Sequence, residues 1–280
     1  MSVLLALVVA VPLLGAVLPL LVGKRTRAAR LLTGAVLLGQ FGLAAAVTVS
    51  VAREGRLSYV VGGLPSEVGI GLAADAVTSA FLLLVAGSAV AFFTTVRAEA
   101  SGFGDSLWLL LVAGLSGVTV TADVFNLYVF LEISGLAAYA LVATGRGAPA
   151  ALAAFRYLLV GTVGATLYLL GVGYLYVGTG TLSMAGLNAA LRTVGYDSTL
   201  VVASFVLIAV GLGVKIALFP LHTWKPVAYA TSPADVSALL ATLVSTIAGY
   251  GLVRLTFGVY TLEFLTEVPA ARVGLIVAGR

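Results

Sequence analysis

The spacing of its charges constrains this chain more than any other feature. Residues 2–22 carry no charged side chain, nor do residues 31–51, and apolar runs of similar length recur to about residue 258. A hydrocarbon layer of roughly 30 Å takes about 20 apolar residues to cross as a helix, the fold that satisfies its own backbone there. The runs are too long and too evenly apolar for the alternating strands of a barrel. Composition agrees: the chain is 61% hydrophobic and 9% charged, whereas a soluble domain carries about 25% charged residues. The expected fold is an all-α polytopic membrane protein with about eight transmembrane helices.

The expected spans are 2–22, 31–51, 75–96, 106–122, 124–144, 151–177, a seventh starting near Thr199 and an eighth over 235–258. No basic segment precedes the first, which therefore reads as a span rather than a cleaved leader. Charged loops lie between them. One holds Lys24, Arg25, Arg27 and Arg30, and an extramembranous loop over 52–74 holds Arg53, Glu54, Arg56 and Glu67. A short loop carries Arg97, Glu99 and Asp105, and a mixed loop over 178–199 carries Arg192 and Asp197. Only Ala122 and Asp123 separate the fourth and fifth spans, which makes a tight hairpin. Alternation puts Lys24, Arg25, Arg27, Arg30, Arg97, Arg146 and Lys225 on one side, and Arg53, Arg56, Arg192 and Arg272 on the other. The more basic side is then cytoplasmic, with the N-terminus and the C-terminus on the outer side of the cell membrane.

Cysteine is absent, which removes disulfides, thiolate metal sites and iron–sulfur clusters. His222 is the single histidine, so a histidine-ligated haem or zinc is not expected either. Neither a metal nor a cofactor is expected. The net charge of +4 resides in loop residues that set orientation, and no nucleic-acid partner is implied.

Two ionisable residues remain deep within spans: Glu132 in DVFNLYVFLEISGLAAYALVA and Lys215 in GLGVKIALFPLHTW. A charge at membrane depth is costly and usually faces a bundle interior or a wet path. Pro220 offers no N–H to the Ile216 carbonyl, so the helix should kink or break beside Lys215. An interrupted helix with an ionisable residue at the break is the pattern of an ion-transport site. Gly135, one turn from Glu132, lets another helix approach closely. Glu132 and Lys215 could simply neutralise each other, although buried ion pairs often add nothing to stability. A lysine beside a carboxylate keeps its proton; when the carboxylate is protonated or moves away, desolvation favours the neutral amine. That coupling can move protons.

Other polar residues have plainer readings. Arg156 can snorkel to the interface, and Arg254 reads as an interface anchor. Asp75, Asp123 and Asp235 sit near span ends, with Asp235 placed to cap the eighth helix. His222 reads either as a structural hydrogen-bonding group or as a relay titrating near neutral pH. Tyr128, Tyr139, Tyr157 and Tyr168 read as packing and interface residues.

These segments resemble the antiporter-like subunits shared by respiratory complex I, the multisubunit Mrp sodium/proton antiporters and membrane-bound hydrogenases. DVFNLYVFLEISGLAAYALVA is similar to the family's fifth helix, and VKIALFPLHTWKPVAYATSPADVSALLATLVSTIAGYGLVR to its seventh helix, connecting loop and eighth helix. FNLYVFLEI leans toward the Mrp branch of D-type subunits. The resemblance implies that Glu132 and Lys215 are the central proton-handling residues, with His222 and Trp224 in the family's Pro-Leu-His-x-Trp. Thr246, Trp224, Asp123 and Asp235 become candidates for relay or channel support. It implies a proton-translocating subunit of a multisubunit Na+/H+ antiporter or redox-driven pump. Its partners would be other membrane subunits, lipid and protons, with sodium left open. This chain brings no redox centre or catalytic residue, so any enzyme activity would belong to the complex.

Two departures stand out. The family usually carries a lysine or histidine in its eighth helix; here Thr246 holds that place and cannot store a proton. Lys225 and Val227 stand where leucine and aspartate are common. The family has about fourteen helices, a three-helix start followed by two inverted five-helix repeats. Residues 1–100 would be the start, 101–258 the first repeat and 259–280 the truncated opening of a ninth helix. The expectation is a split or truncated product, or a half completed by a partner chain. The competing reading is a structural membrane subunit without transport, which Thr246 and the early stop favour. A subunit of a complex I-like or hydrogenase enzyme would differ only in its partners.

Overall fold

The computed structural model describes residues 3–22, 26–63, 69–95 and 102–279. Lys24, Arg25, Glu67, Arg97 and Glu99, which entered the loop-charge reading, lie outside the described residues. Among the described residues, 8 helices are long and apolar enough to cross a membrane, and the fold is all-α and polytopic.

The chain begins with α1 (Leu4–Leu21) and α2 (Thr26–Glu54). A hairpin of β1 (Leu57–Val60) and β2 (Gly71–Ala74) follows, antiparallel with Leu57 opposite Ala74. Next come α3 (Ala76–Thr95), α4 (Gly102–Val120), α5 (Val124–Ala143) and α6 (Gly147–Thr179). The expected mixed loop contains a further helix, α7 (Met184–Val194). It buries Met184, Leu187 and Leu191, one stripe at helical spacing, and is too short to span. Then come α8 (Thr199–Ile216), α9 (Trp224–Thr231), α10 (Ala234–Glu267) and α11 (Pro269–Ala278). The eighth span thus runs past its expected end at 258. It contains π-turns at Leu240–Val244 and Thr256–Tyr260. Asn188 of α7 donates to the Gly258 carbonyl in the second of these at 3.1 Å.

The loops alternate between two faces, as successive spans do. Leu72 bridges Thr121, and Asp123 bridges Ser183, so three loops meet on one face. Gly145 abuts the Thr231 carbonyl on the other. Leu14, Leu21, Leu31 and Val177 are largely exposed. On a helix bundle in water such side chains would be a liability; facing acyl chains they are expected.

Glycines set the closest crossing. A Cβ at Gly164 of α6 would stand 2.8 Å from Val214 Cβ of α8, and one at Gly211 of α8 would stand 2.7 Å from the Tyr168 nitrogen. Small residues of this kind let two backbones approach where lipid offers no hydrophobic drive. The crossing fixes α8, and hence Lys215, against α6.

Candidate functional site

α8 ends where the sequence placed its break, but Pro220 is not the residue that ends it. Ala217 adopts a left-handed conformation, φ 65°, and the Leu218 N–H returns to the Gly213 carbonyl at 2.9 Å. That is a Schellman-type termination carried by a non-glycine residue. Pro220 lies three residues further on, in the turn before α9. Lys215 therefore occupies the last turn of α8, the end of a helix that favours a cation.

The α5 face opposite it reads Glu132, Gly135, Tyr139, spaced to share one side of a helix. Lys215 Nζ donates to Glu132 Oε1 at 2.8 Å and to the Tyr139 hydroxyl oxygen at 3.1 Å. Lys215 is 5% exposed; the Glu132 side chain is 21% exposed. Gly135 is the slot for the ammonium. A Cβ there would lie 3.0 Å from Lys215 Nζ and 3.0 Å from the Tyr139 hydroxyl. The sequence reading of Gly135 as a point of close approach is correct in kind, but what approaches is the lysine itself. Tyr139 is in turn pressed over Gly161 of α6, which has no side chain to obstruct it. Beside the pair is a narrow crevice, with about 180 Å³ of unfilled space lined by Tyr128, Gly164 and Tyr168 among others. The crevice itself has no room for the centre of a water molecule, and the open side of the pair is the partly exposed Glu132.

Trp224 belongs to the same construction. Its indole N–H donates to the Val214 carbonyl at 3.0 Å, satisfying a carbonyl near the end of α8. Its ring lies flat on Tyr157, 4.0 Å between centroids and 5° between planes. Tyr157 meets Tyr139 edge-on at 4.5 Å. Tyr139 and Tyr157, read from the sequence as packing residues, thus connect the ion pair to the segment after the helix break.

The other sequence candidates fall elsewhere. His222 lies beside Phe219 in an open pocket on the far side of the break. Thr246 is exposed on α10. Asp123 caps α5, accepting from the Asn126 N–H at 2.7 Å. Burial raises its carboxyl above the ordinary aspartate range, against the pull of the Asn126 and Phe125 N–H groups. The N-cap of α10 is Pro233 rather than Asp235, which lies buried in the first turn. Arg254 is not an anchor at the lipid interface: it turns inward and donates to the Thr119 carbonyl at 3.0 Å. Gln40 was not singled out by the sequence reading. Fully buried, it donates to the Val8 carbonyl at 2.7 Å and to Ser116 Oγ at 3.0 Å, tying α1, α2 and α4.

Residues 121–273 match a family model described as NADH:quinone oxidoreductase/Mrp antiporter, TM. The chain is 42% identical over 277 residues to the N subunit of an NADH-quinone oxidoreductase from Desulforudis audaxviator, a match covering 91% of this chain and 53% of that protein. It is 31% identical over 263 residues to the D subunit of a Na(+)/H(+) antiporter from Bacillus subtilis, covering 92% and 52% respectively. Its backbone is similar to a chain of the Mrp complex from Dietzia sp. DQ12-45-1b, with a TM-score of 0.87, 29% identity, and coverage of 99% of this chain and 51% of that one. The chain spans about half the length of these relatives.

Proposed function

The chain belongs to the NADH:quinone oxidoreductase/Mrp antiporter transmembrane family, and on that premise we propose that it forms one proton half-channel of a multisubunit Na+/H+ antiporter or redox-driven pump. The observation that carries this reading is the Lys215–Glu132–Tyr139 constellation: a nearly enclosed amine at a helix end, held by one carboxylate and one hydroxyl. Glu132 holds Lys215 protonated while the two are in contact. A proton arriving on Glu132 removes that attraction, and burial then favours release from the amine. Tyr139 holds the ammonium in register, and Gly135 leaves room for it. His222 and Trp224 serve as relay and as support for the break, Asp123 caps α5, and Asp235 supports the channel from the first turn of α10. Residues 1–100 act as an N-terminal segment and 101–258 as the channel repeat, with the N-terminus outside. The partners are other membrane subunits, since the relatives are named as subunits of larger assemblies.

A second reading, a structural subunit without transport, is favoured by one observation: Thr246 is exposed and offers no basic group. The Lys215→Ala variant separates the two. Measured in membrane vesicles bearing the assembled complex, proton uptake should fall by roughly a hundredfold or more with assembly retained. Uptake at the parental rate would leave only the structural reading.

A further inference from the structure

A second lysine is held within the fold on the far side of the helix break. Lys225 of α9 donates from Nζ to Ser245 Oγ of α10 at 2.8 Å, and its Nζ lies 5.4 Å from the centre of the Tyr229 ring. It lines an open pocket of about 520 Å³ together with His222 and Tyr229. His222 Nδ1 is enclosed and makes no hydrogen bond to the described residues. Burial holds the Lys225 ammonium below the ordinary lysine range, with no neighbouring charge to offset it. The same burial pushes the Tyr229 hydroxyl up to about 12.

Lys225 is connected to Lys215 through side chains. Lys215 donates to Tyr139, and Tyr139 meets Tyr157 edge-on. Tyr157 lies on Trp224, the residue next to Lys225, and within electrostatic reach of Tyr229. Tyr229, Ser245 and Lys225 then adjoin one another at the pocket. Three tyrosines thus lie between two amines, one enclosed beside a carboxylate and one at an open pocket; ring contacts join Tyr139, Tyr157 and Trp224, and the enclosed Tyr229 hydroxyl makes no hydrogen bond to the described residues. α10 itself offers no basic side chain here: Thr246 is exposed, and the neighbouring Ser245 receives its amine from α9.

We propose that Lys225 is the protonatable group that exchanges protons between the Lys215 pair and the pocket, with Tyr139, Tyr157, Tyr229 and Ser245 lining the way. The inference rests on the proposed function. The titratable groups facing Lys225 are His222 and Tyr229 from its own segment, and the Ser245 hydroxyl faces it from α10. A lysine suits the role because its amine can give up a proton when partly desolvated, whereas a guanidinium cannot.

The test uses the assembled complex in membrane vesicles, with proton uptake read by a pH-sensitive dye across a range of pH. Lys225→Leu and Lys225→Arg should each lower uptake by about tenfold or more. Lys225→His should retain uptake, with a pH profile displaced toward the imidazole range near about 6.5. Lys225→Arg keeps the stem and the charge, so if Lys225→Leu fails to assemble, the arginine and histidine variants decide. Parental uptake by Lys225→Arg would overturn the inference, because charge or packing would then suffice. The same holds for a histidine variant with an unmoved pH profile. Lys215→Ala is measured alongside. If it is inactive while the Lys225 variants are normal, this inference alone fails; if it too transports normally, the proposed function fails with it.

Discussion

Lys215 and Arg254 are both turned into the helix bundle, and their hydrogen-bond partners differ in kind. Lys215 is held by a carboxylate and a hydroxyl, groups that can change charge or rotate away. Arg254 donates to a backbone carbonyl, Thr119, at the end of α4, where the helix leaves that group unpaired. Its guanidinium lies 5.5 Å from the centre of the Tyr250 ring, which stacks on Phe81. The Tyr250 hydroxyl shares a 2.8 Å hydrogen bond with Thr78 Oγ1. Thr78 in turn donates to Asp75 from both its backbone N–H and its hydroxyl. On the proposed function the first cluster releases a proton from its cation; the second ties α3, α4 and α10 together with a cation that stays charged at any working pH. A charge inside a membrane protein is therefore not in itself a sign of transport. The partners decide what it can do.

Exchanging the cations probes that difference most severely. Lys215→Arg preserves the charge but not the ability to release a proton, and should lower proton uptake by roughly a hundredfold. Arg254→Lys should keep uptake within about twofold while lowering thermal stability by about 1–2 kcal/mol, through a weaker bond to Thr119. Equal losses of uptake in the two variants would erase the distinction.

The next largest effect concerns the slot. Gly135→Ala places a methyl 3.0 Å from both Lys215 Nζ and the Tyr139 hydroxyl, and should cost about 1–3 kcal/mol by overpacking. A fall in melting temperature accompanied by lost uptake would sharpen the contrast; unchanged uptake would mean that Lys215 need not sit there. Tyr139→Phe removes one hydrogen bond to a charged group, and should cost about 1.5–3 kcal/mol in a melting experiment.

The smallest effect lies in the Arg254 cluster. Asp75 caps α3; asparagine caps about as well, so Asp75→Asn should cost only about 0.2–1 kcal/mol, through the lost attraction to Arg254. Burial works to raise the Asp75 carboxyl, but the two hydrogen bonds from Thr78 and the charge of Arg254 bring it below its usual range. A depressed carboxylate contributes stability above its unfolded value, about 3.9, and loses it as pH falls through the folded value. The gap between Asp75→Asn and the parent should therefore close in acid and stay constant from about pH 5 upward. A gap that widened in acid would reverse the sign.

Much of this arrangement was legible in the sequence, because cost in lipid makes it so. Glu132 and Lys215 stand out in apolar text, and the two-residue hairpin at Ala122–Asp123 leaves little choice of topology. What stayed hidden depends on direction rather than residue type. Tyr139 is one aromatic among many until the Lys215 ammonium is seen to end beside it. Arg254, near a span end, reads equally well as snorkelling outward or turning in; only the Thr119 carbonyl separates the two. Thr246 was placed by the resemblance of STIAGYGLVR to the family's eighth helix, which assigns a position but not the face it takes. The π-turn at Leu240–Val244 adds a residue to that turn, so the faces beyond it are set off from the 3.6-residue count. Ser245 meets the pocket lysine, and Thr246 faces outward. The helix α7 was missed because it is short and its flanks are polar, although Met184, Leu187 and Leu191 carried its period.

The central claim is that the Glu132–Lys215 pair carries protons and does not merely join two helices. Removing one partner would orphan the other at a cost of about 3–5 kcal/mol, which confuses transport with folding. The direct measurement is proton uptake by the double variant Glu132→Leu, Lys215→Met, in which neither charge is left alone. The expected result is a complex that assembles at the parental level and does not take up protons. Assembly with undiminished uptake would contradict the claim.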